Sequence, residues 1–439
     1  MIKDDNTIYN THKILYEHFF ICVNIVMAQG KRLHLSYERM ALMLDSCPAF
    51  KSGGKIEPDV LNRIQSISYA FNYNAIRNTE LGSFEYIKHR TYDPVTQEEY
   101  SRVPIVSQPD VSLNFNYLLY DFSNETKMGF NIGPEGILNY ESYASDNKNK
   151  LYSRPNWATD GHGALPDKGD LNFYVVADDT SERRDIVGGR GAQHTYEGLD
   201  ILGFGNCYIT NYTLEASLGS FVTCSAQYSC SNLTYDIYDP YNMPKCPAVD
   251  GSGTRSSAEI DLPTFDMTSL FIEYPNDIGE SLVLRPGDVE VVLKNNKPDS
   301  AGGFHLLDLN KDDMSVQSIS FDVPIQRTDI NGFGSDYIND RKMQFPVMCT
   351  ANIAVSIRNF EGSGDISKIF TDDIDCDIEV NMYVRQSLTH KKKKVKLVAK
   401  NAKLNSESHE YQIGGFSTLQ ASFLFEVTHK GGFSIELAQ

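Results

Sequence analysis

The segment QSISYAFNY at Gln65–Tyr73 returns as QSISFDVPI at Gln317–Ile325, the first of several matches that recur along the chain in the same order. A long internal repeat constrains a fold more than composition does, because each copy must bury its apolar face in the same way. Downstream, Arg77 followed by GSFEYIKHR (Gly82–Arg90) is matched by Arg327 followed by GSDYINDR (Gly334–Arg341). Pro109 and Pro346 then each lead into an alternating run, with Val111, Leu113, Phe115 and Tyr117 on one face of the first and Ile353, Val355 and Ile357 on one face of the second. Alternation of this kind is the period of a half-buried strand. LNFYVV (Leu171–Val176) has a counterpart in VNMYVR (Val380–Arg385). Finally, Cys207–Cys230 aligns without gaps on Ala402–Phe425, matching Glu215 with Glu410, Gly219 with Gly414, Phe221 with Phe416, Thr223 with Thr418 and Ala226 with Ala421. A tandem duplication is the economical explanation of all these matches.

Each copy reads as a strand, a polar stretch carrying Arg and Gly-Ser, a proline-led strand, an aromatic strand and a hairpin closed by a Gly-aromatic turn. Gly219 and Gly414 fit turns that need positive φ, or else close backbone packing. With 439 residues, more than one core usually organises, the sequence predicts two domains. The aromatic content points to sheet as well, with 25 Tyr and 23 Phe against one Trp. The expected fold is therefore mainly β: two tandem similar β-sandwich or barrel domains behind a short, partly helical N-terminal extension. The expected divisions are 1–54 for the extension and 55–250 for the first domain with a large loop insertion at 122–194. Residues 251–310 would be a linker and β-hairpin segment, and 311–439 the second domain. Helix signals are confined to YERMALML (Tyr37–Leu44), capped by Ser36, and to Ile366–Phe370. DGSGTRSSAE (Asp250–Glu259) has linker composition, and SLVLRPGDVEVVLK (Ser281–Lys294) reads as a hairpin turning at Pro286-Gly287.

The formal net charge of −18 argues against a broad phosphate-gripping surface, since nucleic-acid affinity comes mainly from lysine and arginine. The exception is Lys391–Lys394 with Lys396, interleaved with Val395, Leu397 and Val398; it reads as a solvated strand edge that discourages unwanted pairing. The eight cysteines include no CxxC and no histidine at metal-ligand spacing, so reduced, mostly buried thiols are expected. Ile14–Val26 is apolar but interrupted by Glu17, His18 and Asn24, too broken for a membrane span. Met27 opens MAQGKR and could itself serve as a start.

No catalytic constellation emerges, so no enzyme activity, cofactor or metal is expected. HExxH, GxSxG and Walker A sequences are absent. VGGRGAQ (Val187–Gln193) lacks a strand-to-helix context, and DLNKDD (Asp308–Asp313) has Asp313 where a calcium loop needs glycine and Ile319 where it needs glutamate. TDDIDCD (Thr371–Asp377) reads as a solvated acidic turn. The polar stretches are long for hairpin loops, and such arms usually move or dock on a neighbour. Arg77, Arg90, Arg327 and Arg341 are accordingly the candidate inter-subunit arm residues.

Two stretches, Gln65 through PDVSLNFNYLLYDFSNETKMGF (Pro109–Phe130) and LGFGNCYITNYTLEASLGSF (Leu202–Phe221), resemble virion structural proteins of tailed bacteriophages, tail-tube proteins in particular. The resemblance covers about half the chain, and rests on a pattern of hairpins rather than a catalytic signature. It implies compact β-sandwiches or barrels with a long hairpin that contacts the next ring. With two domains per chain it implies a trimeric ring of pseudo-sixfold symmetry, stacked head to tail, contacting other tail proteins and letting DNA pass without sequence-specific binding. The place implied is the virion tail, assembled in the host cytoplasm. A receptor-binding or accessory virion protein and a β-scaffold carbohydrate-binding protein are the alternatives that the residues leave open.

Overall fold

The computed structural model describes residues 39–45, 55–56, 58–72, 89–92, 99–102, 110–119, 122–138, 171–178, 199–238, 243–249, 255–262, 289–295, 305–308, 314–330, 340–357, 375–385, 391–410, 417–428 and 430–437. The backbone divides into two units, Met1–Met40 with Ala177–Gln193, and Ala41–Val176 with His194–Gln439. The second unit holds the sheets and the core.

Its first half runs β1 (Arg39–Asp45), β2 (Lys55–Ile56), β3 (Asp59–Val60), β4 (Ile64–Asn72), β5 (His89–Tyr92), β6 (Glu99–Arg102), β7 (Asp110–Leu118), the helix α1 (Ser123–Met128), β8 (Leu171–Asp178), β9 (Leu199–Ser217), β10 (Thr223–Cys230) and β11 (Asn232–Tyr238). After the short β12 (Glu259–Ile260) come β13 (Val289–Asn295), β14 (His305–Asp308), β15 (Met314–Pro324), β16 (Arg327–Ile330), β17 (Asp340–Met343), β18 (Val347–Ile357), β19 (Cys376–Arg385), β20 (Lys391–Glu410), β21 (Ser417–Val427) and β22 (Phe433–Leu437).

One pairing order occurs twice. The first half pairs β3-β1-β8-β9-β10-β7-β4 with β11 also on β9, and the second pairs β14-β13-β19-β20-β21-β18-β15 with β22 also on β20. The irregularities recur too. Gln65 sits where the β4–β7 register shifts, Gln317 where the β15–β18 register shifts, and each side-chain amide donates to the carbonyl two residues back, Arg63 O at 3.3 Å and Ser315 O at 3.2 Å. The long strands β9 and β20 both bend at an asparagine with φ of 53°, Asn206 and Asn401, a left-handed conformation that asparagine tolerates better than most residues. This bend lets each long strand serve two sheets.

Alternation explains the core. In β7 the residues Val111, Leu113, Phe115 and Tyr117 are buried while Asn114 and Asn116 are exposed, and β21 alternates likewise. Phe173 of β8 lies 5.6 Å from Phe115 and 4.6 Å from Tyr228, joining the two sheets of the first half; Phe433 of β22 lies 5.0 Å from Phe321 and 5.7 Å from Phe425 in the second. Each such ring contributes about 1.5–3 kcal/mol by leaving water. Among the described residues one large buried cluster spans both halves, with smaller ones around Tyr174 and around Cys246.

Several expectations need correction. Residues 37–44 were expected to be helical, but Arg39–Asp45 is strand, with Met43 opposite Val60 and Leu44 opposite Asp59. Ala41 through Asp45 are all buried, so both faces are covered, and a continuous apolar run carries no period to distinguish the two structures. The stretch 122–194 is not loop throughout, since it contains α1 and β8. Nor is 250–259 a solvated linker at its C-terminal end: Ser256 and Ala258 are buried, and Arg255 pairs with Asp236 at 2.5 Å. β13 and β14, in the stretch read as linker and hairpin, pair into the second half's sheet through β19; residues 281–288 lie outside the described residues, as does the Ile366–Phe370 helix. Asn401 N–H donates to Asp377 Oδ1 at 2.9 Å where Asn206 N–H donates to Asn172 Oδ1 at 3.1 Å, so Leu171 corresponds to Cys376, and the letter match of LNFYVV to VNMYVR is out of register.

Candidate assembly surface

The two halves share one sheet. Its strands follow the order β4-β7-β10-β9-β15-β18-β21-β20, and the join between halves is the antiparallel pair β9–β15, from Ser318 opposite Ser217 to Pro324 opposite Asn211. Leu218 N–H to Gln317 O and Ile325 N–H to Thr210 O, both 2.8 Å, fasten its two ends. On the core side Phe321 faces Leu214 and Val323 faces Tyr212, all buried.

The opposite face is mainly polar, with Met348, Leu118 and Leu424 among its apolar members. One row runs Ser66, Asn116, Ser225, Thr213, Asp322, Thr350 across six strands, and another runs Thr223, Glu215, Ser320, Asn352, Ser422, Ser406. Neither row changes character at the seam. Asn116 Nδ2 donates to Ser66 Oγ at 3.1 Å, and Ser225 Oγ donates to Asn114 Oδ1 at 3.1 Å. Glu215, Asp322 and Glu410 are charged positions on this face. Within 66–72, 112–118, 211–217, 223–229, 318–324, 348–356, 406–410 and 418–424 no described residue on this face is a lysine, arginine or histidine, but at the outer edge Lys403 of β20, opposite Leu424, is on it and pairs with Asp375 at 3.4 Å. Away from the Lys403 edge, such a surface offers hydrogen bonds but no fixed cation to hold a phosphate.

A buried carboxylate stiffens the seam strand. Glu125 of α1 accepts from Tyr117 OH at 2.6 Å and from Tyr212 OH at 3.0 Å. Burial lifts its carboxyl above the ordinary carboxylate range, against the hydrogen bonds from the two tyrosines, which lower it. Burial likewise raises both phenols, and Tyr212 OH also reaches Cys224 Sγ at 3.4 Å.

The arm arginines divide. Arg77 lies outside the described residues, and Arg90 is in β5, opposite Ser101. Arg327 and Arg341 were expected to reach another subunit, but both are bound within the chain. Their guanidinium groups lie 5.2 and 5.1 Å from the centre of the Tyr208 ring. Arg327 Nε donates to Ile209 O at 3.3 Å, and Arg341, 7% exposed, donates to Ser229 O at 3.1 Å and Ser229 Oγ at 2.9 Å. They dock the β16–β17 hairpin on β9 and β10. With two halves side by side in one chain, the neighbour that this arm meets is the first half.

The remaining singled-out residues have structural partners. Glu379 is bound by Lys294 at 2.7 Å and Lys396 at 3.2 Å; burial would raise its carboxyl, and the two lysines lower it on balance. In the lysine run, the backbone of Lys391, Lys392 and Lys393 pairs with β19. Asp375 meets Lys403 at 3.4 Å. Cys207, Cys224, Cys230, Cys246, Cys349 and Cys376 are buried thiols; burial, with Asp377 and Asp375 nearby, pushes Cys376 up to about 12. Cys22 and Cys47 lie outside the described residues.

The outer edges of the shared sheet, missed by the sequence reading, complete the surface. Among the described residues β4 pairs only with β7, and the 403–410 stretch of β20 pairs only with β21. Their in-chain counterparts, β15 and β9, pair with one another.

No family model and no curated protein matches the sequence. Solved structures similar to parts of the chain include a crystal structure of Hcp protein, at 8% identity and a TM-score of 0.19, over 34% of this chain and 98% of that one. The anti-feeding prophage tube-terminating cap matches at 10% identity and a TM-score of 0.25, over 38% of this chain and 100% of that one. A chain from the virion of a native gene transfer agent particle matches at 10% identity and a TM-score of 0.20, over 34% of this chain and 95% of that one. Likenesses at these scores carry no weight for function.

Proposed function

We propose that this chain is a self-assembling structural subunit of a tail-like tube, with no catalytic role of its own. The observation that carries the reading is the shared sheet: it has a mainly polar face that runs across the seam, with Lys403 as a cation at the β20 edge, and an edge at each end of the kind that is already joined once inside the chain. The repeated strand order, the matched bulges at Gln65 and Gln317 and the matched bends at Asn206 and Asn401 support a tandem duplication of one domain. A subunit with two unlike ends associates head to tail, and closed rings are the favoured result where the rotation closes.

In its finer form the reading is a phage tail tube. Three chains supply six similar halves, giving a ring of pseudo-sixfold symmetry that stacks with further rings and meets other tail proteins in the virion. The polar face lines a conduit, and its carboxylates let DNA slide by without being held. Assembly would take place in the host cytoplasm. Native mass measurement and electron microscopy of the purified full chain test this: rings or tubes built of three chains per ring are expected, while a stable monomer at high concentration overturns it.

A further inference from the structure

Whatever the subunit builds, the seam inside the chain shows how two halves meet. In that seam β15 supplies its free edge and β9 receives it. β4 is the first-half counterpart of β15, since the register shift at Gln65 matches that at Gln317. β20 is the second-half counterpart of β9: Asn401 stands for Asn206, and Glu410 lies opposite Thr418 as Glu215 lies opposite Thr223.

The exposures differ sharply at these counterpart positions. Phe321 and Val323 of β15 are 1% and 0% exposed, whereas Tyr69 and Phe71 of β4 are 47% and 37% exposed. Tyr69 OH lies 3.3 Å from Tyr235 OH, and Tyr235 is itself 63% exposed, so the apolar patch extends onto β11.

We propose that the edge of β4 in one copy of this chain pairs antiparallel with β20 of a second copy, in the register of the in-chain seam. The inference rests on the self-assembly reading and adds the surface and its register. Ser68 of one copy then stands opposite Glu410 of the next, as Ser320 stands opposite Glu215. Ala70 meets Ser408, and Asn72 meets Ser406, which continues the polar face from chain to chain. The core side of this second seam is chemically different. Where the in-chain seam offers Tyr212 and Leu214, β20 offers Glu407 and His409, which pair with each other. Tyr69 and Phe71 therefore cover a glutamate–histidine pair rather than an apolar wall. The joint between chains is the weaker and separable one, and the joint within the chain is permanent.

Disulfide trapping in the full chain tests the register. The double variant Ser68→Cys/Glu410→Cys, mildly oxidised after assembly, is expected to give covalent multimers, and Ser68→Cys/Ser406→Cys, displaced along the strand, is expected to give essentially none. Both sites are exposed, so folding is not at stake. Multimers from the displaced pair, or from neither pair while light scattering shows assembled wild-type protein, overturn the seam and leave the self-assembly reading standing. Wild-type protein that stays monomeric at high concentration overturns that reading as well. The chemistry of the seam has its own test: Glu407→Tyr with His409→Leu, which copies the in-chain wall, is expected to lower the concentration for half-assembly about tenfold, a change equivalent to roughly 1.4 kcal/mol. An unchanged concentration refutes the assignment of Glu407 and His409 to the joint.

Discussion

Phe321 of β15 and Tyr69 of β4 hold matching register positions, yet one is 1% exposed and the other 47%. Their local surroundings on the paired side are similar, since Phe321 lies beside buried Ala351 and Tyr69 beside buried Leu113. The difference comes from the other side, where β15 has β9 as a neighbour and β4 has no strand among the described residues. Burial at these positions is a property of the seam more than of the strand.

The largest effect separating the two regions should come from truncating those rings. Phe321→Ala removes a fully buried side chain and leaves a cavity, and should cost about 3–5 kcal/mol. Tyr69→Ala, measured on dissociated chain at low concentration, should cost about 1 kcal/mol or less because the ring is already half in water. Urea unfolding of both variants gives the comparison. Equal losses would mean that the edge of β4 is covered within the single chain, and the contrast between seam and edge would be lost.

Glu125 offers the next test, because it anchors Tyr212 on the seam strand. Glu125→Ala leaves two buried phenols without their acceptor and should cost about 2–4 kcal/mol. Glu125→Gln keeps an acceptor and abolishes the charge. The folded carboxyl sits above its ordinary 4.5, mainly through burial. A raised folded value binds the proton more tightly than the unfolded chain does, so this contribution is fully present below about pH 4.5 and is lost as pH rises through the folded value. The stability of wild type relative to Glu125→Gln should therefore fall as pH rises from about 4. A difference independent of pH would show that the carboxylate is solvated, and that Tyr212 is held by packing alone.

Much of this was legible in the residues. Over the described residues, the ungapped match of Cys207–Cys230 to Ala402–Phe425 agrees with the strand register, with Ala226 opposite Tyr212 and Ala421 opposite Glu407. The alternating runs in β7 and β18 were legible because one face is solvated and the other buried. β1 was not, since RMALMLD is covered on both faces and its period is erased. The strand of LNFYVV was recognised but misregistered, because resemblance of letters does not report the contact from Asn172 to the bend at Asn206. The outer edges of the shared sheet left a trace that was there to be read. The same alignment sets Tyr212 against Glu407 and Leu214 against His409, an exchange of apolar for charged residues at core-facing positions, which marks where one copy of the core is closed and the other is not. The arms were recognised as docking elements, but no spacing could say that Arg341 would find Ser229 in its own chain.

Arg341 tests that docking. Its hydrogen bonds to Ser229 O and Ser229 Oγ are made by a nearly buried guanidinium, so Arg341→Met should cost about 1–3 kcal/mol, the usual range for a hydrogen bond to a charged group. Its ion pair with Asp329 adds little, because Asp329 is 49% exposed and the pair is screened by solvent. Arg341→Lys should recover only part of the loss, since an ammonium can donate to both Ser229 acceptors as the single Nη1 does but has no planar face to stack on Tyr208. Thermal unfolding of the three proteins measures this, and full recovery by lysine would reduce the docking to charge alone.

The smallest effect is expected at the tip of the hairpin that carries the seam. Gly219 links β9 to β10 with φ of 90°, next to Leu218, whose N–H fastens the seam to Gln317 O. A methyl added at Gly219 would meet no atom within 4 Å, so space does not require glycine there and the backbone angle does. That separates the two roles open to this residue from sequence: it is a turn glycine and not a packing glycine. Gly219→Ala should cost about 1 kcal/mol through the left-handed backbone alone, and Gly219→Asn less, since asparagine tolerates that region. Because the strain is local to the turn and the Leu218 bond follows from it, the seam should loosen at this end first. Hydrogen exchange should show faster loss of protection at Leu218 than at Ile325, whose N–H fastens the opposite end to Thr210 O. Equal loosening at both ends would show that the seam opens as a single unit.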